Sequence, residues 1–173
     1  MDHMYSTSYK RRRSSAATTS SEIVQTMDED EVSLFLTIHR AEGLDTPIMY
    51  PSVSERIYRV VYWVEPNKQY FTPSVGGLLD PVWNERVCIE LGKLGEYGGF
   101  LNVEVIRFYS KSDPGTSSGV VVVGRAQIPL PLQLDQNKFL WYGLVRPNGP
   151  VPKGEGNIAV SMELKKIKRM PCY

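Results

Sequence analysis

Between positions 32 and 164 apolar residues recur at every second position in short runs, without a convincing stretch at the three-to-four spacing of an amphipathic helix. In the first run Val32, Leu34, Leu36 and Ile38 alternate with Ser33, Phe35, Thr37 and His39. A period of two sends successive side chains to opposite faces of an extended chain, so the run reads as a strand with one face for burial. Further β-rich runs lie at 58–64, 69–72, 86–91, 100–108, 120–128, 139–144 and 157–164. Glu65-Pro66-Asn67-Lys68 turns the second run into the third as a hairpin, and the four consecutive valines from Val120 mark a central strand. Eight short strands with turn signals between them predict an all-β fold, an eight-stranded antiparallel β-sandwich.

A chain of 173 residues suits one domain and buries about 70% of its unfolded surface without staples. Its net charge of +1 gives no global attraction to nucleic acid, so any basic contact must be local. Cys88 lies within a strand pattern and Cys172 next to the end, a spacing that fits neither a disulfide framework nor a metal knuckle and reads as a reducing compartment. Neither a bilayer-spanning apolar run nor an apolar stretch behind the N-terminal cations is present, so neither insertion nor secretion is indicated.

Residues 1–31 are rich in Ser, Thr and charge and are expected to form a disordered tail, followed by the sandwich at 32–164 and a basic tail at 165–173. Lys10, Arg11, Arg12 and Arg13 precede Ser14 and Ser15. The run reads either as a patch for anionic membrane, switchable by serine phosphorylation, or as a solvated tail. An Arg- and Ser-rich transit peptide is a third reading, opposed by Asp2 and the missing amphipathic period. Lys165, Lys166, Lys168 and Arg169 repeat the choice at the other end, where Cys172 is a candidate for lipidation.

Between the third and fourth runs stands Leu79-Asp80-Pro81-Val82-Trp83-Asn84-Glu85. Pro81 fixes its own φ and holds Asp80 extended, Asn84 favours a turn, and Trp83 offers a large apolar anchor, so the segment reads as a rigid corner. This corner resembles that of C2 domains, β-sandwiches known for calcium and phospholipid binding. Around it Ala-Glu-Gly-Leu, Tyr-Arg-Val-Val-Tyr-Trp-Val, Leu-Asn-Val-Glu-Val-Ile, Val-Val-Gly-Arg-Ala, Trp-Tyr-Gly-Leu and Gly-Asn-Ile-Ala-Val-Ser-Met-Glu-Leu follow in the order expected of that family. Tyr-Trp-Val-Glu-Pro together with the segment from Gly156 to Ser161 is similar to small plant C2 proteins, whose better-known members associate with membranes and copines in stress and defence signalling.

The resemblance implies a calcium cup at one end of the sandwich, lined by aspartates of the first and third loops. Calcium takes six to eight oxygens and needs several carboxylates. Here Arg56 stands where a ligand aspartate is expected, and Arg107-Phe108-Tyr109 replaces the third-loop Asp-x-Asp. Asp45 and Asp113 remain as cup residues, with Glu55 near in sequence. Two arginines that stay protonated repel the ion, so no cofactor is expected and calcium is disfavoured. Two readings of the arginines stay open. Arg56 and Arg107 contact lipid phosphate or an acidic partner directly, or they pair with Asp45, Glu55 or Asp113 in a local solvated network. Ile48, Met49, Tyr50, Phe108 and Tyr109 either enter a bilayer interface or pack the loops.

No catalytic constellation is present. His3 lies in the tail, His39 ends a strand with no nucleophile assigned to it, and the glycine-rich segment 92–99 lacks the Gly-Lys-Ser/Thr ending of a phosphate loop. The expectation is a non-enzymatic module, cytoplasmic and peripheral to the membrane, docking on anionic phospholipid or a membrane-associated protein and not on nucleic acid. The alternative is a calcium-independent protein-interaction adaptor or structural subunit. Oligomeric state is not read from the sequence.

Overall fold

A computed structural model describes residues 30–53, 56–76, 79–93, 99–108, 119–147 and 150–168. Nine strands follow one another: β1 Glu31–Glu42, β2 Ile57–Trp63, β3 Tyr70–Phe71, β4 Val75–Gly76, β5 Val82–Lys93, β6 Phe100–Phe108, β7 Val120–Pro129, β8 Lys138–Arg146 and β9 Lys153–Ile167. The hydrogen-bonded order is β3-β2-β6-β7-β8-β9-β1-β5, with β4 also on β2, and these strands pair antiparallel throughout. The sheet curls where β7 meets β8, a seam paired only at Arg125 and Val145. A Cβ on Gly124 would lie 2.9 Å from the Leu144 Cβ, so a glycine is needed for this close approach.

The curl folds β3-β2-β6-β7 over β8-β9-β1-β5. Leu34, Leu36 and Ile38 from β1, Val160 and Met162 from β9, Val60 and Tyr62 from β2, and Val103 and Val105 from β6 share one buried core. In β1 these are the alternating positions that the sequence assigned to one face, and the eight expected strands are all present and pack as a sandwich. Val75–Gly76 adds a short ninth segment beyond Pro73, where proline interrupts the edge.

The corner differs from its expected form. Val82–Glu85 is already strand, because β5 begins at Val82 and not at position 86. Ile38 faces Glu85 while Arg40 faces Val82, so β5 carries one residue more than β1 across this step. Asn84 absorbs the bulge at φ 51°, a left-handed conformation that its short amide tolerates. Pro81 accepts a hydrogen bond at its carbonyl from the Ala41 amide, 3.1 Å away, and so ties the bulge to the end of β1.

β9 runs on to Ile167, so Lys165 and Lys166 are strand residues paired across from Ser33 and Val32. The N-terminal tail with Lys10, Arg11, Arg12 and Arg13 lies outside the described residues, as do Glu55, Tyr109, Asp113, Arg169 and Cys172.

Candidate functional site

The Glu42 end of β1, the start of β2 at Ile57, the Phe108 end of β6, the Arg146 end of β8 and the start of β9 at Lys153 meet at one end of the sandwich. Side chains converge there on Asp45, which is fully buried and takes a positive φ of 43°. Its Oδ2 accepts from Arg107 Nε at 2.8 Å and from Tyr58 Oη at 3.0 Å. Its Oδ1 accepts from an Arg146 guanidinium nitrogen, which also donates to Glu155 Oε1 at 2.9 Å. Glu155 closes the ring: Oε1 accepts from the Asp45 amide at 2.9 Å, and Oε2 from the Tyr50 hydroxyl at 3.1 Å.

Among the described residues the side-chain network sets two carboxylates against two guanidiniums, in a place nearly closed to water. Such a cluster gains from short, directed hydrogen bonds what it loses in desolvation, and removing one member leaves a buried charge exposed to the full penalty. Arg146 stacks on the Tyr50 ring at 4.0 Å. Burial opposes its charge, but the hydrogen bonds to Glu155 and Asp45 hold its pKa above the ordinary arginine value. Burial, followed by the charge of Asp45, pushes the Tyr58 phenol well up, and burial raises Tyr50 as well.

Backbone geometry places these groups. Glu155 precedes Gly156, whose φ is 71° and where a Cβ would stand 2.0 Å from the Glu42 carbonyl oxygen. Only glycine lets β9 approach β1 closely enough to bring Glu155 under the Asp45 amide. In the first loop Thr46 accepts at its carbonyl from the amides of Met49 and Tyr50, at 3.0 and 2.8 Å. That turn lifts Ile48 and Met49 outward, 92% and 60% exposed, while Tyr50 points back to the network. Arg56 braces the loop from below, donating to the carbonyls of Val53 at 2.7 Å and Asp45 at 3.2 Å.

Arg107 is 4% exposed and bound to Asp45, and Arg56 is half-buried against backbone carbonyls, so neither reaches outward in this arrangement. The network is buried and not solvated. Phe108 is half-buried with its ring 5.3 Å from the Arg59 guanidinium. The C-terminal cations are elsewhere: Glu31 pairs with Ile167 at one end of β1 and Glu42 with Asn157 at the other, roughly 35 Å away along the strand. There Lys165 contacts Glu163 at 3.3 Å, Lys166 contacts Asp30 at 2.5 Å, and Lys168 is exposed.

Calcium does not fit the described residues. Both Asp45 oxygens and both Glu155 oxygens accept from donors already in place, guanidinium nitrogens sit where a cation would, and no group of three metal-ligating side chains is present among the described residues. Arg146, Glu155 and Val151, the last 65% exposed in the β8–β9 connection, were not among the residues singled out by sequence. A signal for the arginines exists in the alternation. Arg107 follows Val103 and Val105 on the inward parity of β6, and Arg146 follows Leu144 on that of β8, and a charged residue at a core position needs a buried partner.

No protein-family model matches the chain, and no curated protein does. Solved structures do. The first C2 domain of plant extended synaptotagmin 1 shares 16% identity at a TM-score of 0.55, over 79% of this chain and 96% of that one. A portion of extended synaptotagmin 2 that joins an SMP domain to two C2 domains shares 19% at 0.56, over 79% of this chain and 28% of that one, so this chain spans about a quarter of that protein. A calcium-bound pair of C2 domains from extended synaptotagmin 2 shares 17% at 0.54, over 86% and 47%. The fold is therefore C2-like. No helix among the described residues is long and apolar enough to cross a membrane.

Proposed function

We propose that the chain is a non-enzymatic C2-type module that docks on anionic phospholipid through its loop end without calcium. The observation that carries this reading is the saturation of Asp45 by Arg107, Arg146 and Tyr58, beneath loops that present Ile48, Met49 and Val151 to solvent. In a calcium-dependent cup the ion neutralises carboxylates and fixes the loops; here two guanidiniums do both, so the apolar tips are held ready without an ion. Three exposed aliphatic side chains on fixed loops suit insertion at a bilayer interface, with cations outside the core adding attraction to anionic lipid. The reading includes a cytoplasmic, membrane-peripheral role in signalling or stress response, in keeping with the likeness to small plant C2 proteins.

The test is binding of the full chain to phosphatidylserine vesicles in chelator. Ile48→Asp, Met49→Asp and Val151→Asp combined are expected to weaken binding by about tenfold or more at unchanged thermal stability, since the three side chains are exposed. Unchanged vesicle affinity in the triple variant would remove the loop end from the contact. A second reading, a protein-interaction adaptor, draws on a different surface, the outer face of β8-β9-β1-β5, where aromatic side chains stand in solvent.

A further inference from the structure

Outward-facing residues of β8, β9, β1 and β5 build a surface separate from the loop end. Phe139, Ser161, Thr37 and Arg86 are successive cross-strand partners and form one row over all four strands. Phe35, opposite Cys88 on β5 and Glu163 on β9, begins the next row, and Trp141, Ala159 and Arg40 form the row on the other side. A cavity of about 480 Å³ opens here, bordered by Phe35, Thr37, His39, Arg86, Cys88 and Ser161. That volume is within the range of binding clefts.

The groups around the cavity differ in what they have to bind. His39 Nε2 is hydrogen-bonded to Ser161 Oγ at 2.7 Å, and its ring meets the edge of Phe139 at 5.1 Å. Glu163 is paired with Lys165, which also lies over Phe35 at 5.2 Å. Arg40, at the margin, is paired with Glu42 and covers Trp141 at 5.3 Å. Arg86 is exposed and has no ion pair among the described residues. Arg86 therefore borders the cavity without an ion pair among the described residues, with Phe35, 39% exposed, in the next row and Phe139, 53% exposed, three strands away in its own row, while the exposed Glu90 stands beyond Cys88 on β5.

We infer that this face docks an extended acidic segment of a partner protein, one carboxylate seated on Arg86 and the apolar side chains two and four positions further along against Phe35 and Phe139. A guanidinium fork binds a carboxylate through two parallel hydrogen bonds, and arginine with aromatic residues makes up the energetic centre of many protein interfaces. Successive outward rows along a strand repeat at about 7 Å, the distance between side chains two positions apart on one face of an extended segment, so an acidic residue with apolar residues two and four positions away matches the surface. The cavity lies on the outer face of the paired strands β5, β1 and β9, apart from the loops that carry Ile48, Met49 and Val151.

Cys88 borders the cavity and is exposed, which makes its thiol a reporter of occupancy. The experiment uses the full chain with Cys172→Ser and the synthetic peptide acetyl-Glu-Ser-Leu-Ser-Phe-amide, with its lysine-for-glutamate counterpart as control. The acidic peptide is expected to slow Cys88 alkylation by about fivefold at saturation, with micromolar-to-millimolar affinity. Arg86→Glu is expected to abolish that protection and to transfer it to the lysine peptide, while binding to phosphatidylserine vesicles stays unchanged. Phe139→Ala, at an exposed position, is expected to weaken the same protection independently. Absence of protection at about 1 mM peptide, equal protection by the two peptides, or protection that survives Arg86→Glu would overturn the inference. So would protection of Cys88 by vesicles in place of peptide.

Discussion

The loop end and the outer face of β8-β9-β1-β5 are both rich in arginine, yet they use it in opposite ways. Arg107 and Arg146 are turned inward, each matched to carboxylates that the fold itself supplies. Arg86 stands on an exposed face that also carries Phe35 and Phe139, without an ion pair among the described residues. The first pair consumes its binding capacity in holding loops; the exposed residue keeps its capacity for something outside the molecule. A cation in a C2-like fold therefore reports a ligand only after its internal partners have been counted.

The contrast is most severely strained by unbalancing the buried network. Asp45→Asn keeps the shape and removes one charge, leaving Arg107 and Arg146 with Glu155 alone. It is expected to cost about 3–5 kcal/mol in equilibrium urea unfolding, while Arg86→Gln costs less than about 0.5 kcal/mol. Equal small losses for both variants would mean that the loop-end arginines are no more committed than the exposed one.

Alkali extends the contrast between buried and exposed groups to the phenols of the core. Burial, then the charge of Glu85, pushes the Tyr62 phenol up to about 12, and the Tyr58 phenol is raised further in the same direction. Unfolded tyrosine ionises near pH 10, so this stabilisation is complete below about pH 10 and is lost as pH rises through the folded values. The urea midpoint is expected to fall between about pH 10 and pH 12, and to fall less in Tyr62→Phe. A midpoint that does not move over this interval would contradict the assigned burial.

The smallest effect belongs to the bulge of β5. Trp83 Nε1 is buried without a hydrogen-bond partner among the described residues. Replacing Trp83 by Phe removes that unsatisfied N–H together with some apolar area, and the opposing terms predict a net change within about 1.5 kcal/mol. A loss beyond about 3 kcal/mol in urea unfolding would show that the indole holds the bulge in a way that its packing does not reveal.

Alternation made the strands legible: Leu34, Leu36 and Ile38 against Phe35, Thr37 and His39 is enough to place one face in the core. The turn chemistry of Pro81 and Asn84 was legible as a distortion, but not as a bulge inside a strand, because a left-handed Asn fits both and only pairing with β1 decides. Arg56 and Arg107 were visible as departures from the expected cup, and Asp45 as one of its remaining carboxylates. Their partner Arg146 lies 101 positions from Asp45, and Glu155 lies 110, so the network exists only once β8 and β9 close against the first loop. The exposed aromatic face was hidden for a related reason. Phe139, Phe35 and Arg86 come from three strands and share a face only through the strand order.

Whether an internal pair of guanidiniums stands in for calcium at the loop end is decided by binding isotherms of the full chain on phosphatidylserine vesicles, in calcium and in chelator. Superimposable isotherms are expected at each ionic strength, with affinity falling as salt rises. Binding that appears only with calcium, or tightens by about tenfold when calcium is added, would contradict the substitution of arginine for the ion.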